Sequence, residues 1–220
     1  MAKYFAFSID DGTVFDRQTI ALFNKYGIRG TFNLNSGLPG FVWYLDGHPI
    51  ERLNHERTFP LYSGHEVASH TLTHPYLDQC PDEEVYRQVS QDVEALKMIF
   101  MRDVHSFATP FESSGEREID IVKRVPGITN IRLSQIDETF AIPEDPFHFK
   151  VTALDIDRAL CLFNSFKDAT GDVLFVYAGH SYDFALANSF DRLEVLIQRI
   201  LAEGDIRIVT MGELAELLFA

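Results

Sequence analysis

Short apolar runs and amphipathic stretches take turns along almost the whole chain, and that rhythm limits the fold more than any single residue does. Tyr4–Ser8, Gly30–Leu34, Glu66–Ser69, His105–Ala108, Ile128–Leu133, Val173–Tyr177 and Ile206–Thr210 read as strands, with a weaker one at Phe149–Ala153. Between them, Asp16–Lys25, Asp82–Met101, Ser114–Val125, Arg158–Ala169, Ser189–Glu203 and Gly212–Phe219 carry helical periodicity. Asp16 is placed to cap the first helix and Gly27 to end it. Alternation of this kind calls for parallel strands joined by right-handed crossovers. The expected α/β architecture is one domain over residues 1–220, a distorted (β/α) barrel with seven or eight parallel strands. A doubly wound open sheet competes, because both arrangements bury their strands on two faces.

Composition narrows the partners. The chain has 19 Lys and Arg against 33 Asp and Glu, a net charge of −14. Such a surface repels phosphate backbones and anionic lipid, so neither nucleic acid nor a membrane is expected as a partner. The two cysteines, Cys80 and Cys161, are too few and too far apart for a disulfide framework or a paired-cysteine zinc site. No apolar run approaches the ~18 residues of a membrane span. Met1–Ser8 enters strand-like sequence directly, which reads as a cytoplasmic chain. A secreted chain already trimmed of its leader would read the same. The sequence leaves the oligomeric state open.

One segment breaks the rhythm. Ser36–Gly64 has little periodicity and holds Trp43, the only tryptophan, with Pro39, Pro49 and Pro60. Loops this long are uncommon and often functional. Trp43 either walls a cleft or belongs to a small aromatic cluster on a surface excursion.

Chemistry in parallel α/β folds sits at the carboxyl ends of the strands. There the sequence places Asp10 and Asp11; Asn33 and Asn35; His70, Thr71, Thr73 and His74; Thr109 and Pro110; Asp155 and Asp157; and His180, Ser181, Tyr182 and Asp183. Asp10-Asp11-Gly12 puts two carboxylates side by side. On extended backbone they point apart, so one can bind a metal while the other holds a water. Standing alone, the pair is better explained by a plain Asp-Asp-Gly turn. His70 and His74 are four apart and would share one face of a helical turn, a spacing suited to a single zinc. His180 ends an apolar strand, either as a satisfied buried histidine or as a general acid toward a leaving amine. Together the three groups amount to metal-assisted hydrolysis.

With these residues in place, the chain resembles the polysaccharide deacetylase superfamily, carbohydrate esterase family four, over nearly its whole length. Ser8-Ile9-Asp10-Asp11-Gly12-Thr13 matches the first motif, and Gly30-Thr31-Phe32-Asn33 resembles the second strand. Gly64-His65-Glu66-Val67-Ala68-Ser69-His70-Thr71-Leu72-Thr73-His74-Pro75 matches the metal motif and is the most specific signal. The resemblance implies a divalent metal, most often zinc, held by Asp11, His70 and His74, with Asp10 as base and His180 as acid. It further implies an oxyanion donor at the Phe111 backbone beside Pro110, and Asp155, or less readily Asp157, behind His180. Asn33, Trp43 and Tyr182 are candidate substrate contacts.

Two departures stand out. Ala108 occupies the place where the family's third motif carries an arginine beside the base, and Glu112 stands where glycine is usual. Asp155-Ile156-Asp157-Arg158 has no tryptophan beside it; Arg158 is a candidate replacement for the missing cation. The expected reaction is amide hydrolysis, most naturally N-deacetylation of an amino sugar or polysaccharide. An intracellular amidase or cyclic-imide hydrolase acting on a small molecule, and a non-catalytic protein that kept the metal, are the alternatives.

Overall fold

The computed structural model describes residues 2–220. The chain runs β1 (Lys3–Asp10), α1 (Asp16–Lys25), β2 (Thr31–Leu34), β3 (Val42–Leu45), β4 (His48–Glu51), α2 (His55–Thr58), β5 (Glu66–Ser69), α3 (Asp82–Phe100), β6 (Ser106–Ala108) and α4 (Glu116–Val122). It continues β7 (Asn130–Ile136), β8 (Phe149–Val151), α5 (Ile156–Lys167), β9 (Val173–His180), α6 (Ser181–Leu186), α7 (Phe190–Ala202), β10 (Ile206–Val209) and α8 (Met211–Phe219). Eight strands form one wholly parallel sheet, curled into a distorted (β/α) barrel as expected.

Around the curl the order is β9, β1, β2, β5, β6, β7, β8. β8 returns to β9 through the Ala153–Tyr177 bridge and the Ala178 N–H to Ala153 carbonyl bond of 3.0 Å. β1 is the hub. One edge pairs with β9 along its full length, from Lys3 with Val173 to Asp10 with His180. Its other edge is split: Lys3–Ala6 pair with β10 and Ser8–Asp10 with β2.

The core between sheet and helices is aromatic. Phe5 stacks on Phe175 with centroids 4.7 Å apart, and Phe7, Phe23 and Phe166 extend the cluster. Each such pair adds about 0.5–1.5 kcal/mol beyond its area burial. This packing fixes β1 and β9 against each other and so sets the height of the residues at their ends.

Local differences from expectation have local causes. Asp16 does not cap α1. It is the first helical residue, and its buried carboxylate accepts from the Tyr62 hydroxyl at 2.8 Å. Gly27 does end the helix, with φ +64°. Asp155 is the cap of α5, which starts at Ile156 rather than Arg158. The excursion over 36–64 contains the antiparallel hairpin β3–β4, which proline-bearing sequence had concealed. It is stitched to the turn after β1 by Val14 N–H to Glu51 O (2.9 Å) and Leu53 N–H to Gly12 O (2.8 Å). Gly12 lies under it at φ +64°, where a Cβ would stand 2.7 Å from His55 Cε1.

Candidate metal centre and catalytic pocket

A pocket of about 660 Å³ opens at the carboxyl end of the barrel. Asp10, Asp11, His70, His74, His180, Trp43, Tyr182 and Phe111 line it, as do Arg52 and Arg132. Three of its residues hold left-handed backbone, Asp11 (φ 81°), His74 (57°) and Phe111 (54°), and so does Thr71 (70°) in the loop before His74. Such conformations cost about 1–3 kcal/mol each and collect at functional sites.

The histidine pair is not on a helical turn. β5 ends at Ser69, and the loop after it folds back through the positive φ of Thr71 and His74. This brings the imidazoles together by backbone strain instead of helical spacing. His70 Nδ1 donates to the Ala108 carbonyl at 2.9 Å, which turns Nε2 toward the pocket. There it lies 3.2 Å from His74 Nε2. Asp11 Oδ1 lies 3.4 Å from His74 Nε2 and 4.0 Å from His70 Nε2. Tetrahedral ligands about 2.0–2.1 Å from an ion stand about 3.3 Å apart. Two imidazole nitrogens and a carboxylate oxygen, all within 4.8 Å of one another, fit a divalent cation. Burial lowers both histidines, His70 well below its ordinary value, so each presents a lone pair. For Asp11, burial pushes upward, but His180, Arg52, His74 and His70 together outweigh it and the carboxyl is lowered. Asp92 steadies the loop: its buried carboxylate accepts from Ser69 Oγ (2.6 Å) and from Ser36 N–H (2.7 Å).

Asp10 points the other way. Its Oδ1 accepts from Asn33 Nδ2 at 2.7 Å and from Arg132 Nη2 at 2.5 Å, which leaves Oδ2 to the pocket. Arg132 answers the question that Ala108 raised. Ala108 on β6 and Arg132 on β7 are register partners, so the cation has moved one strand along at the same level. Arg158 does not replace it, because it pairs with Glu138 on the surface. Asn33 is likewise not a pocket residue: it is buried, bonded to Asp10 and Ser8, and positions the carboxylate.

His180 sits beside Asp10 on β9. The carboxylate behind it is Asp183, not Asp155 or Asp157. Asp183 Oδ2 accepts from His180 Nδ1 at 2.9 Å and from its main-chain N–H at 3.1 Å. Asp155 caps α5 and Asp157 pairs with Arg192. Burial alone would lower the imidazole, but Asp183 and Asp11 raise it to about 9. Tyr182 stacks on His180 with centroids 4.6 Å apart and donates to Asp11 Oδ2 at 3.2 Å. Phe111 carries its N–H on the turn fixed by Ser113 Oγ donating to the Pro110 carbonyl at 2.7 Å; Pro110 itself is buried outside the pocket. The Phe111 ring stacks on Tyr76 at 3.9 Å. Trp43 meets Tyr182 edge-on at 5.6 Å and lines the pocket with Leu38 and Phe41. Glu112 and Leu154 also face the pocket.

Sequence reasoning missed Arg132, Arg52 and the role of Asp183. A charged residue between Ile131 and Leu133, inside a predicted buried strand, was the available signal for Arg132.

A fold of this class with this site has relatives. The model of the polysaccharide deacetylase family matches residues 1–127, more than half of the chain, and the chain belongs to that family. No curated protein matches it in sequence. A Mycobacterium smegmatis protein assigned as a polysaccharide deacetylase shares the fold at TM-score 0.73 and 13% identity, over 99% of this chain and 90% of that one. A family 4 acetyl xylan esterase from Clostridium thermocellum, in complex with a cobalt ion, matches at TM-score 0.63 and 16% identity, covering 98% and 91%. A carbohydrate esterase family 4 pseudoenzyme from Bacillus anthracis matches at 0.64 and 14%, covering 97% and 66%. No described helix is long and apolar enough to cross a membrane.

Proposed function

We propose that this chain is a metal-dependent hydrolase of amide bonds, acting as an N-deacetylase on an N-acetylated amino sugar or its polymer. The carrying observation is the division of labour between two adjacent carboxylates. Asp11 Oδ1 faces His70 and His74, while Asp10 Oδ2 and the His180 imidazole open into the same pocket. A pure binding site needs neither a free carboxylate nor a histidine kept protonated, so catalysis is favoured over metal-retaining binding. Family membership supports the reaction class.

Asp11, His70 and His74 would hold the cation, zinc by ligand type. When bound, it supplies Lewis acidity toward the amide carbonyl and lowers the pKa of water. Asp10 takes the proton of the attacking water as its oxygen bonds to the carbonyl carbon. Arg132 and Asn33 hold Asp10 so that Oδ2 receives that proton. The Phe111 N–H donates to the oxyanion that develops, a contribution of about 3–4 kcal/mol for a well-placed donor. His180 protonates the nitrogen as the carbon–nitrogen bond breaks, and Asp183 keeps its Nδ1 protonated and the ring oriented. The products are acetate and a free amine.

A second reading keeps the chemistry and changes the substrate. Leu38, Phe41, Trp43, Tyr76 and Phe111 all line the pocket, an apolar share that supports a small amide or cyclic imide over a long chain. Acetate release from N-acetyl-amino-sugar oligomers, abolished by chelation and restored by zinc, is the expected result. Turnover of hydantoin-like rings without acetate would shift the assignment to the second reading. Metal binding without turnover of either would defeat both.

A further inference from the structure

The carboxylate that faces the two imidazoles already carries a cation of the chain's own. Arg52 is buried, and its Nη2 donates to Asp11 Oδ1 at 2.9 Å. Its Nη1 donates to the Asp11 main-chain carbonyl at 2.7 Å and to Asn35 Oδ1. Asn35 Nδ2 in turn donates to the carbonyls of His70 (2.5 Å) and Thr71 (2.8 Å). One planar fork thus ties the end of β1 to the loop that bears both histidines. The Trp43 ring covers the guanidinium at 5.0 Å.

The oxygen that Arg52 holds is the same one that lies 3.4 Å from His74 and 4.0 Å from His70. A divalent ion and a guanidinium would therefore share one oxygen in a buried site, where repulsion between like charges is strong. Without both the ion and Arg52, the buried Asp11 would keep only His180, 3.8 Å away at Oδ2, and its Oδ1 would have no positive partner of its own.

We propose that Arg52 is the counter-ion of the metal-free site. It keeps Asp11 and the histidine loop in the ligand arrangement, and it yields Oδ1 when the cation enters. The centre is preassembled, and its affinity for metal is set lower than the three ligands alone would give. This positioning role rests on Asp11, His70 and His74 being the metal ligands.

Zinc dissociation constants of the metal-stripped full chain, measured by competition with a chromophoric chelator, test it. Arg52→Met is expected to bind zinc about tenfold tighter or more, and Arg52→Lys, which keeps the charge, to stay within about threefold of the parent. A residue that merely braces the site would weaken binding when lost. Equal or weaker binding by Arg52→Met therefore overturns the proposal, as does equal tightening by Arg52→Lys. If Arg52→Met does not fold, crystals of the parent with and without zinc decide. The Nη2–Oδ1 contact must be broken in the zinc form; an unchanged contact overturns the proposal. A parent that binds no zinc removes the metal reading itself, whereas a zinc-binding parent with an unresponsive variant removes only the role of Arg52.

Discussion

Asp10 and Asp11 are neighbours in the chain, yet different parts of the molecule supply their cations. Asp10 meets Arg132, a residue of barrel strand β7. Asp11 meets Arg52, which follows the β3–β4 hairpin in the excursion. The first pairing is held by strand register, fixed on both sides by β6 and β8. The second depends on a hairpin stitched over the barrel mouth, whose strands expose Val42, Tyr44 and Leu45. The barrel side is built to hold one carboxylate in place. The excursion side couples the other carboxylate to the pocket wall that Trp43 forms.

If that contrast is right, damage on the barrel side should stop chemistry and spare the metal. Asp10→Asn is expected to lower kcat by about 10²–10⁴-fold with zinc content unchanged by elemental measurement. A variant near the parental rate would remove Asp10 as base. Arg132→Ala comes next, with kcat down by up to about a hundredfold as the Asp10 carboxylate loses its fixed position. Adding Ala108→Arg to that variant, which returns a guanidinium to the neighbouring strand, should recover part of the rate. No recovery would show that the two strand positions are not interchangeable.

Asp183→Asn should move a pH profile more than a rate maximum. His180 acts while protonated, so activity falls as pH rises through its pKa, here about 9. Without the Asp183 carboxylate that pKa drops, and the alkaline limb of kcat moves to lower pH by about one unit or more. An unmoved limb would assign it to another group. The smallest effect belongs to the excursion: Trp43→Ala should raise KM roughly threefold to tenfold, the size of one aromatic contact of about 0.5–1.5 kcal/mol, with kcat nearly constant. Unchanged kinetics would make the hairpin a surface ornament.

What the sequence revealed and what it hid follow the same division. The strands of the parallel sheet were legible because most are short apolar runs, and the convergence of Asp11, His70 and His74 because strand-end position and spacing are local properties. The pairing of Arg132 with Asp10 spans 122 residues and depends on how far the sheet curls, which no local pattern reports. His70 and His74 show the opposite error. Their spacing suggested a helical turn, yet strained backbone at Thr71 and His74 produces the convergence. Asp183 was lost because a short helix, α6, begins just after His180 and brings a residue three positions on back to the ring.

The split edge of β1 ties Lys3–Ala6 to Ile206–Val209, a segment far downstream in the chain. Until Ile206–Val209 emerge from the ribosome, the backbone of Lys3–Ala6 on that side has no strand beside it, although its upper half can already join β2. A barrel that folds as it emerges therefore carries an open seam beside an aromatic strand until β10 arrives. That seam closes when β10 slides in, much as a keystone closes an arch.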